Sequence, residues 1–341
     1  MTRRPTIRDV AAAAGVGPAT VDRALHGRAG VSAALRERIA RAALALDYPV
    51  PASGRESLDA VRQQLSLGFV LHKRSQPFYQ TFAARIARSC AARTDVDIRP
   101  VLEFASSQAP DDFRAAIETV ARSAGVVAAT AINHASLSRL VERLAADGRP
   151  VFALLNDFAG PAGAGYFGLD NLRAGRVAGW MMAKALRGPG RVAVFTGGSR
   201  WHGQTLRDEG FRRAIRTHGP GIEVTDTVIN LETRQVTYEA TIGLLDRQPD
   251  LGGIYVAGGG MEGAIEALRE RRPPGKVALV VNELTADSRK ALAEGYATLV
   301  VATPLEELCD ALVSAMVERT RQGGGPGDRI FEPRLYLPES V

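Results

Sequence analysis

Ile7, Val10, Ala11 and Ala14 fall at i, i+3, i+4 and i+7, the spacing of one apolar face on a helix. Val21 and Leu25 repeat that spacing, and Leu35, Ile39, Ala42, Ala43 and Leu46 give a third face. The punctuation agrees with three short helices. Thr6 and Ser32 are N-cap residue types, Gly15 can take the positive φ that ends a helix, and Pro18 suits a first helical turn. The pattern predicts helices from Ile7, from about Pro18 to about His26, and after Ser32. Together they make a small all-α head over residues 1–48, with Pro18, Ala19 and Arg23 on the outer surface of its second helix.

Residues 49–65, with Pro49, Pro51, Ser53 and Gly54, read as a linker in which Leu58, Val61 and Leu65 can share one helical face. Beyond it the pattern changes to short β-rich runs alternating with amphipathic helices, the signature of βα units and parallel sheets. Strands are expected at 67–71, 98–104, 125–130, 151–155, 192–196, 224–231, 253–256, 277–281 and 299–301. Helices are expected at 78–93, 111–122, 136–147, 170–186, 207–217, 233–246, 261–271, 285–294 and 304–321. So many strands exceed one simple doubly wound domain. Residues 66–341 are therefore expected to form two Rossmann-like lobes, with the chain leaving the first near 166–170 and returning near 302–304.

Composition narrows the function. The 341 residues are 45% hydrophobic, enough for a large core. No run of about 18 apolar residues offers a membrane span, and no apolar segment follows Arg3 and Arg4 as in a secretory signal, so a cytoplasmic protein is expected. Cys90 and Cys309 have no CxxC partner, and the histidines at 26, 72, 134, 202 and 218 show no metal-ligand spacing. No metal or cofactor is implied. The Gly-rich turns at 196–199 and 258–260 can cradle phosphates, which keeps an enzyme as a rival reading, but neither follows a nucleotide-binding motif and no GxSxG elbow occurs.

Charge is concentrated in the head. Residues 1–48 hold eight Arg against Asp9, Asp22, Glu37 and Asp47, a balance of +4 within the chain's +6. A basic helical head on a nearly neutral body is the electrostatic footprint of a binder of duplex DNA. The order Thr6-Ile7-Arg8-Asp9-Val10-Ala11, Gly15-Val16, Thr20-Val21 with Arg23, and Leu46 with Tyr48 resembles the helix-turn-helix head of the LacI/GalR family of bacterial transcriptional regulators. The resemblance implies a type I periplasmic-binding-protein-like body that closes on a small molecule and controls operator binding. Leu169-Asp170-Asn171 with Ala174-Gly175, and Arg207 to Phe211, resemble the family's Asp-Asn-x-x-Ala-Gly and Arg-x-x-Gly-Phe elements.

On this reading Arg23 reads base edges, with Pro18 and Ala19 offering apolar contact, while Thr6, Gly17, Thr20, His26, Arg28 and Ser32 hold the backbone in register. The sequence departs from the family's hinge: Tyr48 is followed directly by Pro49, and the nearest match to a minor-groove wedge is Leu58, flanked by Glu56 and Asp59. Leu58 as wedge and Leu58 as ordinary packing both stay open. In the body, residues after strand ends are the effector candidates: His72, Phe78, Tyr79, Asn133, Asn156, Asp157, Trp201, Arg207, Met261 and Glu283. Asp170 joins them through the resemblance, with helix capping as its plainer role. Such a mixture suits a sugar, polyol or sugar acid. A homodimer on a near-palindromic operator is expected, with repression relieved by effector. A solute-binding protein is the other rival, and the missing export signal speaks against it.

Overall fold

The computed structural model describes residues 5–28, 30–50, 64–323 and 327–341. By contact it divides into two compact units, Met1–Leu67 with Ala87–Pro100, and Gly68–Ile86 with Val101–Val341.

The head folds as its apolar faces predict, into α1 (Ile7–Ala14), α2 (Pro18–Leu25) and α3 (Ala33–Ala45). The Thr6 amide and hydroxyl both donate to the Asp9 carboxylate, at 2.7 and 2.6 Å, which ties down the start of α1. Gly15 ends that helix at φ 61°, a conformation costly for any residue with a Cβ. Ser32 Oγ accepts from the Leu35 amide at 3.3 Å and caps α3. Val10, Val21, Leu25, Ile39 and Ala43 form the interior, closed at its edges by Ile7, Leu35, Leu46 and Tyr48.

The first sheet of the body comes from β1 (Gln64–His72), α4 (Pro77–Ala91), β2 (Asp97–Ala105), α5 (Pro110–Ala121), β3 (Val126–Ala129), α6 (Ala135–Ala146), β4 (Val151–Leu154) and β5 (Gly165–Leu169). The chain then crosses into α7 (Asn171–Leu186), β6 (Gly190–Thr196), α8 (His202–His218), β7 (Ile222–Val224), β8 (Val228–Ile229), α9 (Arg234–Arg247), β9 (Leu251–Val256), α10 (Met261–Arg271), β10 (Ala278–Asn282), α11 (Ala286–Ala293) and β11 (Leu299–Ala302). It returns through α12 (Leu305–Gln322), which packs on β3 and β5. Two short strands follow, β12 (Arg329–Phe331) and β13 (Arg334–Tyr336).

The sheet orders are β12-β5-β4-β3-β1-β2 and β13-β11-β10-β9-β6-β7, with β8 also paired to β6. The first lobe thus runs second, first, third, fourth, fifth strand, and the second lobe keeps the same order if the off-path β8 is set aside; each receives one late strand at its edge, β12 parallel to β5 and β13 antiparallel to β11. Phe113, Ile117, Val127, Leu140 and Phe158 lie in the first lobe's interior, and Phe195, Ile254, Ile265, Leu279 and Leu292 in the second's. Cys90 and Cys309 are both buried. Among the described residues no helix is long and apolar enough to cross a membrane.

Three local expectations are corrected. The run expected as one strand at 224–231 is two, because Arg212 donates to the carbonyls of Val224 and Thr225 and to Thr227 Oγ1, occupying the break between them. β5 stands where the pattern predicts only a crossing between lobes, since Gly165 and Gly168 dilute its strand signal. β12 and β13 lie outside the expected strands, because three residues carry too little periodicity to mark a strand. The wedge candidate Leu58, with most of the linker, lies outside the described residues.

Candidate functional site

In each sheet the strand order reverses once, between β1 and β3 and between β6 and β9. Ligands of doubly wound sheets bind outside the carboxyl ends of the strands at such reversals. Here both reversals open on one cavity, lined from both lobes. Gln76, Phe78 and Tyr79 enter it from after β1, Thr130 from after β3, and Leu155 and Asn156 from after β4. The second lobe supplies Trp201 to Arg207 before and within α8, Glu232, Gly258 to Glu262, Asn282 and Glu283.

Arg207 is buried in this wall. Its Nε donates to Asn171 Oδ1 at 2.7 Å and its Nη1 to the Ala257 carbonyl at 2.9 Å. Asn171 Nδ2 in turn donates to the Tyr166 hydroxyl at 3.1 Å, and that hydroxyl donates to the Leu169 carbonyl at 3.0 Å. The two sequence elements singled out in the body therefore meet: the segment around Asn171 orients the guanidinium from α8. The helices can approach closely because a Cβ on Gly175 would overlap the Arg207 carbonyl, and one on Gly210 the Leu172 carbonyl.

Glu232 also lines the cavity. Its Oε1 accepts from Gln204 Nε2 at 2.7 Å and from the Gly259 amide at 3.1 Å. Its Oε2 is buried without a hydrogen bond and lies 3.8 Å from His72 Nε2. The backbone beside it is gripped from the first lobe. Lys73 Nζ donates to the carbonyls of Leu231 and Glu232 at 2.9 and 3.1 Å, Gln76 Nε2 to that of Glu232 at 2.9 Å, and Gln108 Nε2 to that of Leu231 at 3.0 Å. Asn156 makes a second tie between the lobes, its Oδ1 accepting from the Gly203 amide at 2.8 Å.

Strain gathers at the same place. Of seven non-glycine residues with left-handed φ among the described residues, five lie in or beside this wall: Lys73, Leu155, Leu231, Glu232 and Glu283. Each such conformation costs about 1–3 kcal/mol and persists only where surrounding contacts hold it. Glu283, at φ 78°, has both carboxylate oxygens taken by Thr303, from its hydroxyl at 2.7 Å and its amide at 2.8 Å. Burial raises the Glu283 carboxyl above its ordinary range, with Arg207 pulling the other way.

Four polar atoms of wall residues are buried with no protein partner: Thr130 Oγ1, Trp201 Nε1, Glu232 Oε2 and Asn282 Oδ1. The set mixes donors with acceptors, and leaving such groups unpaired costs about 1–3 kcal/mol each. Phe78, Tyr79 and Trp201 add aromatic surface. A molecule with several hydroxyls on a compact ring or chain matches both features.

Seven of the effector candidates share this wall: Phe78, Tyr79, Asn156, Trp201, Arg207, Met261 and Glu283. Four do not line it. His72 is fully buried behind the wall among the rings of Tyr79, Phe113 and Trp201, and burial together with Lys73 lowers its pKa to about 3. Asn133 is spent on structure, donating to the Asp157 carbonyl at 2.7 Å and accepting from Asn156 at 2.9 Å. Asp157 is exposed, and Asp170 caps α7 by accepting from the Arg173 amide at 2.9 Å. Gln76, Thr130, Gln204, Glu232 and Glu262 also line it and are not among the candidates that the sequence offers. Glu232 was within reach, since it follows the last expected residue of the 224–231 strand and the carboxyl-end rule applies to it.

In the head, Gly17, Pro18, Ala19 and Arg23 are exposed on α2, and Thr20 is half-buried. Among the described residues, Arg23 Nε reaches only the Ala19 carbonyl of its own helix, at 3.3 Å. Arg28 and His26 are instead drawn onto Asp22, at 3.1 and 3.0 Å. Thr6, Gly17 and Ser32 occupy the N-cap positions of α1, α2 and α3.

Known proteins resemble both parts. Residues 67–323 match the family model described as periplasmic binding protein domain, and residues 6–50 that of bacterial regulatory proteins, lacI family. The HTH-type transcriptional regulator CelR of Thermobifida fusca is 26% identical, covering 99% of this chain and 98% of its own. The HTH-type transcriptional regulator GntR of Pseudomonas aeruginosa is 29% identical over 79% of this chain and 76% of its own. Among solved structures, an ABC transporter solute binding protein of Agrobacterium vitis bound with α-D-tagatopyranose superposes with a TM-score of 0.76 at 17% identity, over 81% of this chain and 96% of its own. One from Bacillus halodurans with bound myo-inositol gives 0.73 at 19% identity, over 81% and 96%. At such identities the structures show a shared fold.

Proposed function

The chain belongs to the periplasmic binding protein domain family and carries the head of the lacI-family bacterial regulatory proteins, and from that premise we propose that it is a transcriptional regulator whose operator affinity is set by a small polyhydroxylated effector. The working parts are a DNA-binding head at 1–48, a connector at 49–65 and an effector-binding body at 66–341. One observation carries this reading: a single chain joins a basic three-helix head, with Arg23 exposed on its second helix, to a cavity whose wall holds buried polar atoms without partners among the described residues.

Arg23 reads a base edge in the major groove, where a guanidinium bonded bidentately to guanine discriminates by about 1–3 kcal/mol. Pro18 and Ala19 add apolar contact, and the N-termini of α1 and α3 face phosphates. Two subunits pair through their bodies and present two heads to half-sites of a near-palindromic operator. Arg207, Glu232 and Asn282 bond the effector's hydroxyls while Phe78 and Trp201 cover its apolar face. Filling the cavity favours the closed lobes, and that preference is the coupling free energy that changes operator affinity. The role is binding and control rather than catalysis, with effector relieving repression.

The test is selection of duplexes from a random pool by the purified full chain, repeated in the presence of sugars, polyols and sugar acids. One enriched near-palindromic sequence, released by a subset of the compounds, is the expected result. No enrichment over bulk DNA under any condition overturns the proposal.

A further inference from the structure

We infer that Lys73, Gln76 and Gln108 are positioning residues that hold the Leu231–Glu232 turn across the cleft and so set the Glu232 side chain in the cavity wall. The inference rests on the reading of that cavity as the effector site, and it makes closing the lobes and forming the site one event.

The geometry is specific. All three donors come from loops after β1 and β2 of the first lobe, and all their acceptors are main-chain carbonyls just after β8 of the second. Leu231 and Glu232 are both left-handed, at φ 52° and 53°, and Lys73 itself sits at φ 48°. Two consecutive non-glycine residues in that region need outside support, because their own side chains disfavour it. A turn held this way turns its carbonyls toward the first lobe while the Glu232 side chain reaches Gln204 and Gly259 of its own lobe. Leu231 remains half exposed, so packing of its side chain does not supply the support. When the lobes part, the first-lobe donors leave, and the turn and the Glu232 carboxylate keep only the bonds of their own lobe, to Asn230, Gln204 and Gly259, which hold them less firmly. Anything in the cavity that bonds Glu232 therefore favours the gripped, closed form.

Trp201 reports on this without DNA or ligand. It packs beside Glu232 over the Gly197 backbone and is 3% exposed, and the chain's other tryptophan, Trp180, is 44% exposed and outside the cavity wall. In a Trp180→Phe background, acrylamide quenching of Trp201 in the full-length chain measures how often the cleft opens. Lys73→Met with Gln108→Ala is expected to raise the quenching constant about twofold or more by shifting the population toward open lobes. Gln108→Ala alone gives a smaller rise, and Lys73→Arg, which keeps a donor, stays near the background value. Unchanged quenching in the double variant, or an equal rise with Lys73→Arg, overturns the inference. If the double variant does not fold, Gln108→Ala on its own decides. A failed duplex selection leaves this result standing, and unchanged quenching leaves the regulatory reading standing, so the two are separable.

Discussion

Arg207 Nε donates to Asn171 Oδ1 at 2.7 Å, so the guanidinium in the cavity wall is aimed by a residue 36 positions earlier in the chain. Asn171 is fixed by the Tyr166 hydroxyl, at the point where the chain passes between lobes. A buried arginine held this way presents its remaining N–H groups in a set direction.

Asn171→Ala removes that support and leaves Arg207 Nε buried without its acceptor. A loss of about 1–3 kcal/mol in stability is expected, the cost of a buried polar group stripped of its partner. Urea unfolding of the full-length variant against wild type measures it. A loss within error would mean that water replaces the carboxamide freely.

The crossing of α7 on α8 gives a second test. Gly175→Ala forces a methyl into the Arg207 carbonyl, so the helices must separate and the variant is expected to lose about 1–3 kcal/mol or more. Gly188→Ala is the control, since nothing lies within 4 Å of a Cβ there and it should fall within about 0.5 kcal/mol of wild type. Equal effects at both positions would contradict the close packing.

His72 predicts a pH dependence. Its folded pKa is about 3 against an ordinary 6.5, lowered first by burial and then by Lys73. Because the unfolded chain takes up this proton at higher pH than the folded one, the contribution of His72 to stability is present above 6.5 and is lost as pH falls toward 3. Within that window the slope approaches about 1.4 kcal/mol per pH unit for one group. His72→Phe, which keeps the ring contacts, is expected to flatten the stability profile between pH 6.5 and 4 relative to wild type. Parallel profiles would assign the acid sensitivity to other groups.

On DNA, Arg23 and Arg28 should separate. Arg23→Ala is expected to weaken binding to the selected operator by about 1–3 kcal/mol while leaving random duplex nearly unchanged. Arg28, already paired with Asp22, contributes through phosphate at most, so Arg28→Ala should weaken both duplexes alike and lower the salt slope by about 1. Filter binding or fluorescence anisotropy at fixed salt checks both, and equal losses for Arg23→Ala on the two duplexes would remove it from base readout.

By itself the sequence determined what depends on near neighbours. The head was legible because Thr6, Gly15, Pro18 and Ser32 act within one turn of where they stand, and its apolar faces at 3.6-residue spacing leave a single way to close three short helices. The alternation of strands and helices likewise announced two doubly wound lobes, and the rule that ligands sit past strand ends found Trp201, Arg207, Asn156 and Glu283.

Only the tertiary structure decided which of those strand-end residues face the cavity. His72 ends β1 and Asn156 comes just after β4, yet one is walled in by three aromatic rings and the other ties the lobes together. The late strands β12 and β13 are stable solely because an existing sheet edge offers each a ladder of backbone partners. The grip of Lys73, Gln76 and Gln108 joins residues more than a hundred positions apart through main-chain carbonyls. Carbonyls are the same at every residue, so no side-chain pattern can mark them as partners until the fold brings the two lobes face to face.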